Sequence, residues 1–545
     1  MFICFRGGLT VQEALEIAYA DQENVRDIYI TPPDPHVLTD EDSGDEIELD
    51  PNNFTGRQLR AEAELKCKNS DAEEIAESLA LDRPLIESQC SNEVPLTYNF
   101  SNIRNMEWTD GDLVEQEKHF PVGDYSAFVL CELSACDLFE LFFDDSVFDL
   151  LLEETRRYAL FLNSPDPKVT KEELKCFIGI LILSGYNELP GKKCYWDSGN
   201  DMKNAAVVNA MRRDRFIQIM RFIHCADNNK IDKKDKLWKL RPLLDKIQIN
   251  FVKHFVPQRH IDYDESMIKY YGRHGCKQFI RGKPIRFGYK VWSMNTKEGY
   301  LVNFEVYQGK CIVDNSAHDT KFGKASAPFI RIVENLPEKK LPYQFYVDNL
   351  FSSVPLFEFF SQNGYACTGT FRDNRIPKNC PLKAKDQLKK QSRGTFDSII
   401  AKDVGIIFVR WLDNSVVTVG STLHGVHPIN NVKRYFQAEK KIVSVARPNL
   451  IGQYNNYMGG TDQMDQNIGK YRISIRGKKW WWCIFTWLID AAINNAWILY
   501  RKATNSHSDQ LSFRREIAHT YIPPSLRCAT ESWRKTIYFK KQHFL

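Results

Sequence analysis

The sequence predicts a mixed α/β protein in which a layered sheet is flanked along the chain by helical segments. From about residue 125 to 258, apolar residues recur at helical spacing, and Thr170-Lys-Glu-Glu173 forms a capping box ahead of one such run. From residue 259 the pattern becomes strand, hairpin, helix, strand, helix and strand, an order typical of a mixed α/β layer. Helical spacing returns near Thr461.

The first helical block contains several separate signals. Ser134 followed by Asp137 predicts the N-cap of an amphipathic helix that carries Leu138 and Phe142. Two further helices are expected at 211–224 and 238–255. We interpret this block as a helical domain.

The central block alternates β-branched and aromatic residues between turns. Residues 289–292 and 300–307 predict a hairpin across the turn Thr296-Lys-Glu-Gly299. The elements expected next are a helix at 327–334, a strand at 343–347, a helix at 353–363 and a strand at 365–371.

Residues 373–440 are basic and rich in strand signals, including a hairpin of 406–411 with 416–421. We interpret them as an insertion between the sheet and its closing helix, which begins near Thr461. Helices are then expected at 480–502 and 510–519. The apolar run 480–500 is interrupted by Asp490, Asn494 and Asn495, so it predicts a buried helix and not a membrane span.

Charge is distributed unevenly along the 545 residues, whose length predicts two to four domains. Residues 1–120 carry 9 Lys and Arg against 27 Asp and Glu, whereas the remainder carries 64 against 43. This favours a disordered acidic leader and a globule that binds a polyanion.

The 14 cysteines include no Cys-x-x-Cys, which favours reduced thiols and gives no support to a structural zinc site. No secretory signal is recognisable, so we expect a soluble cytoplasmic or nuclear protein without a membrane partner.

Three aspartates follow or interrupt the predicted elements of the sheet and its closing helix. Asp264 lies within or next to the first strand, Asp348 ends the fourth, and Asp462 lies at the start of the closing helix. A few carboxylates suffice to bind two Mg²⁺ or Mn²⁺ ions for phosphodiester cleavage. Asp465 lies three residues after Asp462, on the same helix face. The alternative is that these are ordinary capping or surface aspartates.

Basic and aromatic residues near these acids are candidate DNA contacts. One group lies in the stretch after Asp264, and we expect it to neutralise phosphates, with a solvated charged hairpin as the alternative. Its members are Arg273, Lys277, Arg281, Lys283, Arg286 and Lys290. A second group precedes Trp480-Trp-Trp482 and consists of Arg472, Arg476, Lys478 and Lys479. The tryptophans can stack on bases or begin a buried helix, and we expect burial for two of the three. Trp411 on the insertion hairpin can stack on a displaced base or pack across the strands.

Several motifs together resemble piggyBac-type DDE transposases and the host genes derived from them, over about residues 125–525. These motifs are Met211-Arg-Arg-Asp-Arg-Phe216, Asp264-Glu-Ser-Met267, Gly272-Arg-His-Gly-Cys-Lys-Gln-Phe-Ile-Arg-Gly-Lys-Pro-Ile-Arg-Phe-Gly-Tyr289, Val347-Asp-Asn-Leu-Phe-Ser-Ser353 and Tyr454-Asn-Asn-Tyr-Met-Gly-Gly-Thr-Asp-Gln-Met-Asp465. The resemblance implies that Asp264, Asp348 and Asp462 are the catalytic triad and that Asp465 is a fourth acidic position. It also implies an RNase H-like catalytic core with a β-rich insertion, flanked by a helical dimerisation and DNA-binding domain.

The implied domains follow in chain order. They are a largely disordered acidic leader (1–120), the first part of the helical domain (121–258), the RNase H-like core (259–372), the β-rich insertion (373–440), the end of the core (441–465), the second part of the helical domain (466–525) and a basic tail (526–545). Family members usually end in a cysteine-rich, zinc-binding domain that recognises transposon ends. Cys528 is the one cysteine in the tail, so we expect that domain to be absent and no zinc to be bound.

The resemblance implies a nuclear, homodimeric enzyme that cleaves double-stranded DNA and joins it at TTAA sites through hairpin intermediates, with two Mg²⁺ or Mn²⁺ ions. It implies no small-molecule substrate. Two other functions remain open from the sequence. One is a catalytically silent DNA-binding or chromatin protein with the same fold. The other is an RNase H-like nuclease that cuts DNA without joining it.

Overall fold

The structure is a computed structural model that describes residues 3–10, 25–30, 62–68 and 106–523, except 117, 131, 132, 200, 282, 310–315, 437–439 and 506. Three strands, numbered like all elements in chain order, lie in the acidic leader: β1 (Ile3–Thr10), β2 (Val25–Ile30) and β3 (Glu62–Lys68). They pair antiparallel, and Tyr29 pairs with Gln278 of the central sheet. These strands occupy 21 residues of the segment for which the sequence predicts disorder. The rest of 1–105 and the tail 526–545 lie outside the described residues.

The described part of the first helical block contains seven helices, and two of their caps are predicted by the sequence. The Ser134 side chain accepts a hydrogen bond from the Asp137 N–H, and the Thr170 side chain accepts one from the Glu173 N–H, so both predicted caps are confirmed. The helices are α1 (Ser126–Leu130), α2 (Ala135–Glu140), α3 (Asp145–Phe161), α4 (Lys171–Ser184), α5 (Ala205–Ala210), α6 (Arg213–Phe222) and α7 (Arg241–Lys253). Their apolar faces, such as Phe139, Phe177 and Leu244, share one core with the sheet.

The central sheet is mixed, and its five main strands lie in the order third, second, first, fourth, fifth. The first three pair antiparallel, whereas the fourth and fifth run parallel to the first. In chain order these five strands are β5 (His260–Lys269), β7 (Phe287–Thr296), β8 (Leu301–Val306), β9 (Gln344–Val347) and β10 (Ala366–Thr370). The short β6 (Lys277–Phe279) pairs with the first residues of β7.

Three described helices lie between these strands, and the sequence predicts the second and third, which pack on the sheet, but not the first, which packs on the other two. They are α8 (Ser316–Phe322), α9 (Ala327–Glu334) and α10 (Val354–Gln362). The Phe329 ring of α9 stacks on Tyr263 of β5, with centroids 4.2 Å apart. The residue before Asp264 is thereby fixed in the core.

The insertion continues the central sheet. Its three strands are β11 (Phe396–Ala401), β12 (Ile406–Leu412) and β13 (Val416–Ser421), and β13 pairs antiparallel with β10. At the far edge, β4 (Trp108–Thr109) pairs with β11. The insertion also contains two short helical segments, α11 (Lys385–Leu388) and a 3₁₀ turn at Asp373–Arg375.

A separate two-stranded ribbon leads back from the insertion to the core. It consists of β14 (Asn430–Phe436) and β15 (Lys441–Arg447), which pair antiparallel along their whole length. The predicted end of the insertion at residue 440 falls in the turn of this ribbon. The β-rich segment therefore extends to Arg447, because a strand cannot be separated from its pairing partner.

Four helices complete the described chain: α12 (Asn449–Tyr457), α13 (Gly460–Lys470), α14 (Trp482–Thr504) and α15 (Gln510–Tyr521). Helix α14 is the one described helix long and apolar enough to cross a membrane, but 89% of its apolar window is buried inside the protein. Its asparagines bond to the sheet, since the Asn495 amide both donates to the Leu301 carbonyl and accepts from the Leu301 N–H. The prediction of a buried helix is confirmed.

An ion pair with no solvent exposure joins α14 to α15. Arg514 Nη2 donates to Asp490 Oδ1, and both side chains are 0% exposed. The second carboxylate oxygen accepts from the Ile473 N–H at 3.1 Å. Burial raises the pKa of Asp490 although Arg514 acts in the opposite direction, so this carboxylate depends on its partners.

We predict that Arg514→Met will lower the free energy of unfolding by about 3–5 kcal/mol, because it leaves a buried carboxylate without its cation. Thermal unfolding measures the effect, and Arg515→Met, on the exposed side of the same helix, is the matched control. The double variant Asp490→Leu with Arg514→Met should lose less than the sum of the two single variants. Additive losses would contradict the pairing.

Candidate functional site

Asp264 and Asp348 lie side by side at the centre of the sheet. Tyr263 of β5 and Val347 of β9 are paired in parallel register, and each aspartate is the next residue along its strand. Adjacent strands lie about 4.8 Å apart, so the two carboxylates emerge as neighbours. Asp264 is within its strand and Asp348 directly follows its own, as the sequence predicts.

Helix α13 brings Asp462 and Asp465 towards the same strand. Asp462 lies in the first turn and is exposed, whereas Asp465 is partly buried. The Ser266 hydroxyl donates to Asp465 Oδ1 at 2.6 Å. Ser266 lies two residues beyond Asp264 and thus on the same face of β5. The four predicted acids therefore lie around one strand.

A fifth carboxylate, Asp262, fixes the N-terminus of α13. Its Oδ2 accepts from the Thr461 N–H at 2.9 Å, and the side chain is 0% exposed. A Cβ at Gly460 would lie 2.2 Å from the Thr296 carbonyl oxygen and 2.6 Å from Asp262 Oδ1, so glycine permits this close approach of helix and sheet. The partial positive charge of the helix N-terminus favours a carboxylate here.

The other oxygen of Asp262 is buried without a hydrogen-bond partner. Asp262 lies opposite Asn295 across β5 and β7, and Asn295 Oδ1 is likewise buried without a partner. Burial raises the pKa of Asp262 well above its usual range, against the opposing effect of the Thr461 N–H. Burial therefore disfavours the ionised form of Asp262.

Burial also raises the pKa of two of the predicted acids. It raises the pKa of Asp264 to about 7, with repulsion from Glu265 and Asp348 adding to the shift and Lys283 opposing it. It raises the pKa of Asp465 to about 6, opposed by the Ser266 hydrogen bond and by Lys283. Such perturbed carboxylates are typical of functional sites.

The ammonium group of Lys283 is attracted to acids on both β5 and α13. Its Nζ donates to the Glu265 carbonyl oxygen at 3.2 Å and lies 4.0 Å from Glu265 Oε1. Although burial lowers the pKa of Lys283, attraction to acids on both elements raises it above the usual value. The acids responsible are Asp264, Glu265, Asp462 and Asp465. Lys283 therefore offsets the repulsion between strand and helix carboxylates.

Two neighbours hold Asp348 in position. The Thr370 hydroxyl at the end of β10 donates to Asp348 Oδ1 at 2.8 Å. Tyr454 of α12 lies close to Thr370, and burial, followed by repulsion from Asp348, raises the pKa of the Tyr454 phenol. Asp348 is thus linked to both the fifth strand and the helix that follows the ribbon.

The donor chemistry fits a hard divalent cation, since the cluster offers carboxylate oxygens and no sulfur or imidazole. Asp264 and Asp348 fit a shared ion because their strands place them next to each other. Among the described residues, however, no three His, Cys, Asp or Glu side chains converge closely enough to enclose a metal. The arrangement is therefore two pairs of acids, Asp264 with Asp348 and Asp462 with Asp465, with Lys283 close to both elements.

The basic residues predicted to contact DNA differ in the solvent exposure of their side chains. Those exposed on the surface are Arg273, Arg281, Arg286, Arg476 and Lys478, and those partly buried are Lys283, Lys290, Arg472 and Lys479. Lys277 is only 8% exposed, and burial lowers its pKa to about 8. Lys479 Nζ donates to the carbonyls of Arg221 and Ile223 and so caps the C-terminal end of α6. Lys277 and Lys479 thus bond to carbonyls within the protein, and their role as phosphate contacts stays a prediction.

The aromatic candidates are mainly core residues. Trp481 and Trp482 are 0% and 4% exposed, as expected for two of the three tryptophans, while Trp480 stacks on His274 with centroids 3.8 Å apart. Trp411 is 3% exposed and donates to the Ala446 carbonyl at 2.8 Å. The packing interpretation of Trp411 is therefore correct, and it is not available to stack on a base in this conformation.

The sequence interpretation missed Asp262, Thr370 and Tyr454. Asp262 was detectable, because Asp262, Asp264 and Ser266 alternate along one strand face. Thr370 and Tyr454 gave no local signal, since both act through contacts between distant segments.

A transposase family model, described as Transposase IS4, matches residues 134–497. Among curated proteins, the human piggyBac transposable element-derived protein 3 is 39% identical over 513 residues, covering 91% of this chain and 84% of the relative. The human piggyBac transposable element-derived protein 2 is 38% identical over 501 residues, covering 91% and 82%.

A solved structure is also similar. The cryo-EM structure of a piggyBac transposase synaptic complex with hairpin DNA matches with a TM-score of 0.59. The identity is 18%, and the match covers 75% of this chain and 85% of that one. The likeness shows a common fold.

We predict that Asp264→Asn will raise the thermal unfolding midpoint in EDTA at pH 8. The pKa of Asp264 is about 7 in the folded protein and near 4 when unfolded, so ionisation costs the fold stability as the pH rises through this window. The gain should be small at pH 5 and level off above pH 7. Asp386→Asn, at a carboxylate 89% exposed, is the control. A gain that does not vary with pH would contradict the assignment.

We also predict that Asp262→Ala will loosen the first turn of α13, whereas Asp262→Asn will preserve it. Asparagine keeps an acceptor for the Thr461 N–H and adds a donor beside Asn295, while alanine removes a cap worth about 0.5–2 kcal/mol. Amide hydrogen exchange of residues 461–463 should accelerate in the alanine variant alone. Equal exchange in both variants would show that the cap does not hold this helix.

Proposed function

This chain belongs to the piggyBac family of transposases and transposable element-derived proteins, and from that premise we propose that it is a metal-dependent DNA cleavage and strand-transfer enzyme. The observation that carries the proposal is the pairing of Asp264 and Asp348 on adjacent parallel strands, with the acids of α13 anchored to the same strand. A catalytically silent descendant would have no need for this costly concentration of carboxylates.

In this proposal Asp264, Asp348 and Asp462 hold two Mg²⁺ or Mn²⁺ ions, and Asp465 is an accessory ligand. Bound ions would activate the attacking oxygen and stabilise the leaving one. Ser266, Asp262 and Thr370 orient the carboxylates, since each bonds to an acid or to the helix that carries two of them. Lys283 keeps the acids together by offsetting their mutual repulsion.

The strand order supports an RNase H-like core, with the first three strands antiparallel and the last two parallel. The proposed substrate is double-stranded DNA, cut and then joined at TTAA through a hairpin intermediate. Exposed Arg273, Arg281, Arg286, Arg476 and Lys478 are proposed to contact its phosphates. We further propose that the protein acts in the nucleus as a homodimer.

The test incubates the purified protein with Mg²⁺ or Mn²⁺ and a duplex carrying the terminal repeats that flank its gene. We predict metal-dependent nicking and hairpin formation, reduced by at least about 100-fold in Asp348→Asn, because the amide is a far weaker ligand for a hard cation. Asp386→Asn, on the exposed surface, should retain full activity.

The reaction products distinguish the alternative functions. Ligated TTAA junctions would support strand transfer, whereas cleavage without junctions would indicate a nuclease of the same fold. Binding without cleavage under both metals would overturn the enzymatic proposal and leave a DNA-binding derivative.

A further inference from the structure

The ribbon of β14 and β15 has two faces of opposite character. The inner face carries Val432, Val443 and Val445, which pack against the insertion core. On the outer face, Tyr435 is 60% and Ile442 is 67% exposed. These two residues are directly opposite each other in register, so they form one exposed apolar pair.

Polar residues continue the outer face along the ribbon. Lys433 is exposed opposite the exposed Ser444, and Asn431 is exposed opposite Ala446. The outer face therefore presents an amide, an ammonium group, a hydroxyl, a phenol and an aliphatic group in a row. None of these residues is needed for the inner packing.

The ribbon is strongly basic. Residues 430–447 contain Lys433, Arg434, Lys440, Lys441 and Arg447 against a single acid, Glu439. On the inner side, Asp413 accepts hydrogen bonds from Arg393 and Arg434. A polyanion is therefore the partner that the charge of this ribbon favours.

The ribbon is joined to the insertion core and, along the chain, to the segment that leads to the acids. Trp411 of β12 bonds to the Ala446 carbonyl, and α12 begins two residues after β15. Tyr454 lies five residues into α12, or about 8 Å of helical rise, and is close to the Thr370 that bonds Asp348. The ribbon strands span about 23 Å, which is less than one turn of a DNA duplex.

We propose that the outer face of this ribbon enters the major groove of the DNA beside the cleavage site. A two-stranded ribbon fits that groove, where Asn and Lys side chains can bond to base edges and apolar side chains can contact thymine methyl groups. The ribbon would thereby set the register of the duplex relative to Asp264 and Asp348. This inference rests on the proposed function and adds a DNA-contacting surface to it.

The test measures binding of the full chain to a 30-base-pair TTAA-containing duplex by fluorescence anisotropy in EDTA, over a range of salt concentrations. Lys433→Ala and Tyr435→Ala should each weaken binding about five- to tenfold. If Lys433 contacts a phosphate, its removal should also lower the salt slope by about 0.9. Lys402→Ala is the matched control, because its side chain is 70% exposed in the turn at the opposite end of β12, about 20 Å from the ribbon.

Dimethyl sulfate footprinting locates the groove, since this reagent methylates guanine N7 in the major groove. The wild type and Lys402→Ala should protect guanines near TTAA, and the two ribbon variants should lose that protection while keeping the wild-type melting temperature. Wild-type affinity and footprint in both ribbon variants would overturn the inference and leave the proposed function intact. A changed oligomeric state with unchanged DNA affinity would also overturn it. Failure of the wild type to bind any duplex would overturn both.

Discussion

Repulsion among closely placed carboxylates is the constraint on which the central part of this protein depends. Asp264 and Asp348 emerge from adjacent strands, and α13 brings two more acids to the same strand. Burial makes the ionised forms costly, which is why the pKa of Asp264 rises to about 7. The arrangement persists because Lys283 attracts acids on both elements and because Ser266 and Asp262 bond the helix to the strand. The buried acids thus lower the stability of the fold, and the hydrogen bonds beside them raise it.

Helix α14 supports this cluster of carboxylates by hydrogen bonds to the sheet and to α13. Asn494 of α14 donates to the Gly299 carbonyl in the β7–β8 turn and accepts from Asn467 of α13. One buried amide therefore bonds both the sheet and the helix that carries the acids. The polar interruptions of α14, which in sequence argue against a membrane span, are the groups that orient the helix. Breaking this network would leave unsatisfied amides in the core, which costs more than a lost surface contact.

Local patterns in the sequence predicted most elements, because caps, turns and periodicity act over a few residues. Thr170 and Ser134 marked helix starts. As expected, Asp264 lies within its strand, Asp348 directly follows one, and Asp462 lies in the first turn of a helix. What the sequence could not predict is long-range. Trp411 and Lys277 are candidate DNA contacts in sequence, but the folded protein buries both side chains. Likewise, nothing local indicates that β13 pairs with β10 and so joins the insertion to the central sheet.

That pairing changes what the insertion can do. An insertion tethered by loops would move independently of the acids, whereas β10 carries Thr370, which bonds Asp348, and is itself paired with β13. The insertion is connected to this site a second time, because the ribbon is followed by α12, whose Tyr454 lies close to Thr370. The insertion is thus joined to Asp348 through two separate routes that meet at one threonine. Packed strands and a short helix therefore connect the ribbon to Asp348.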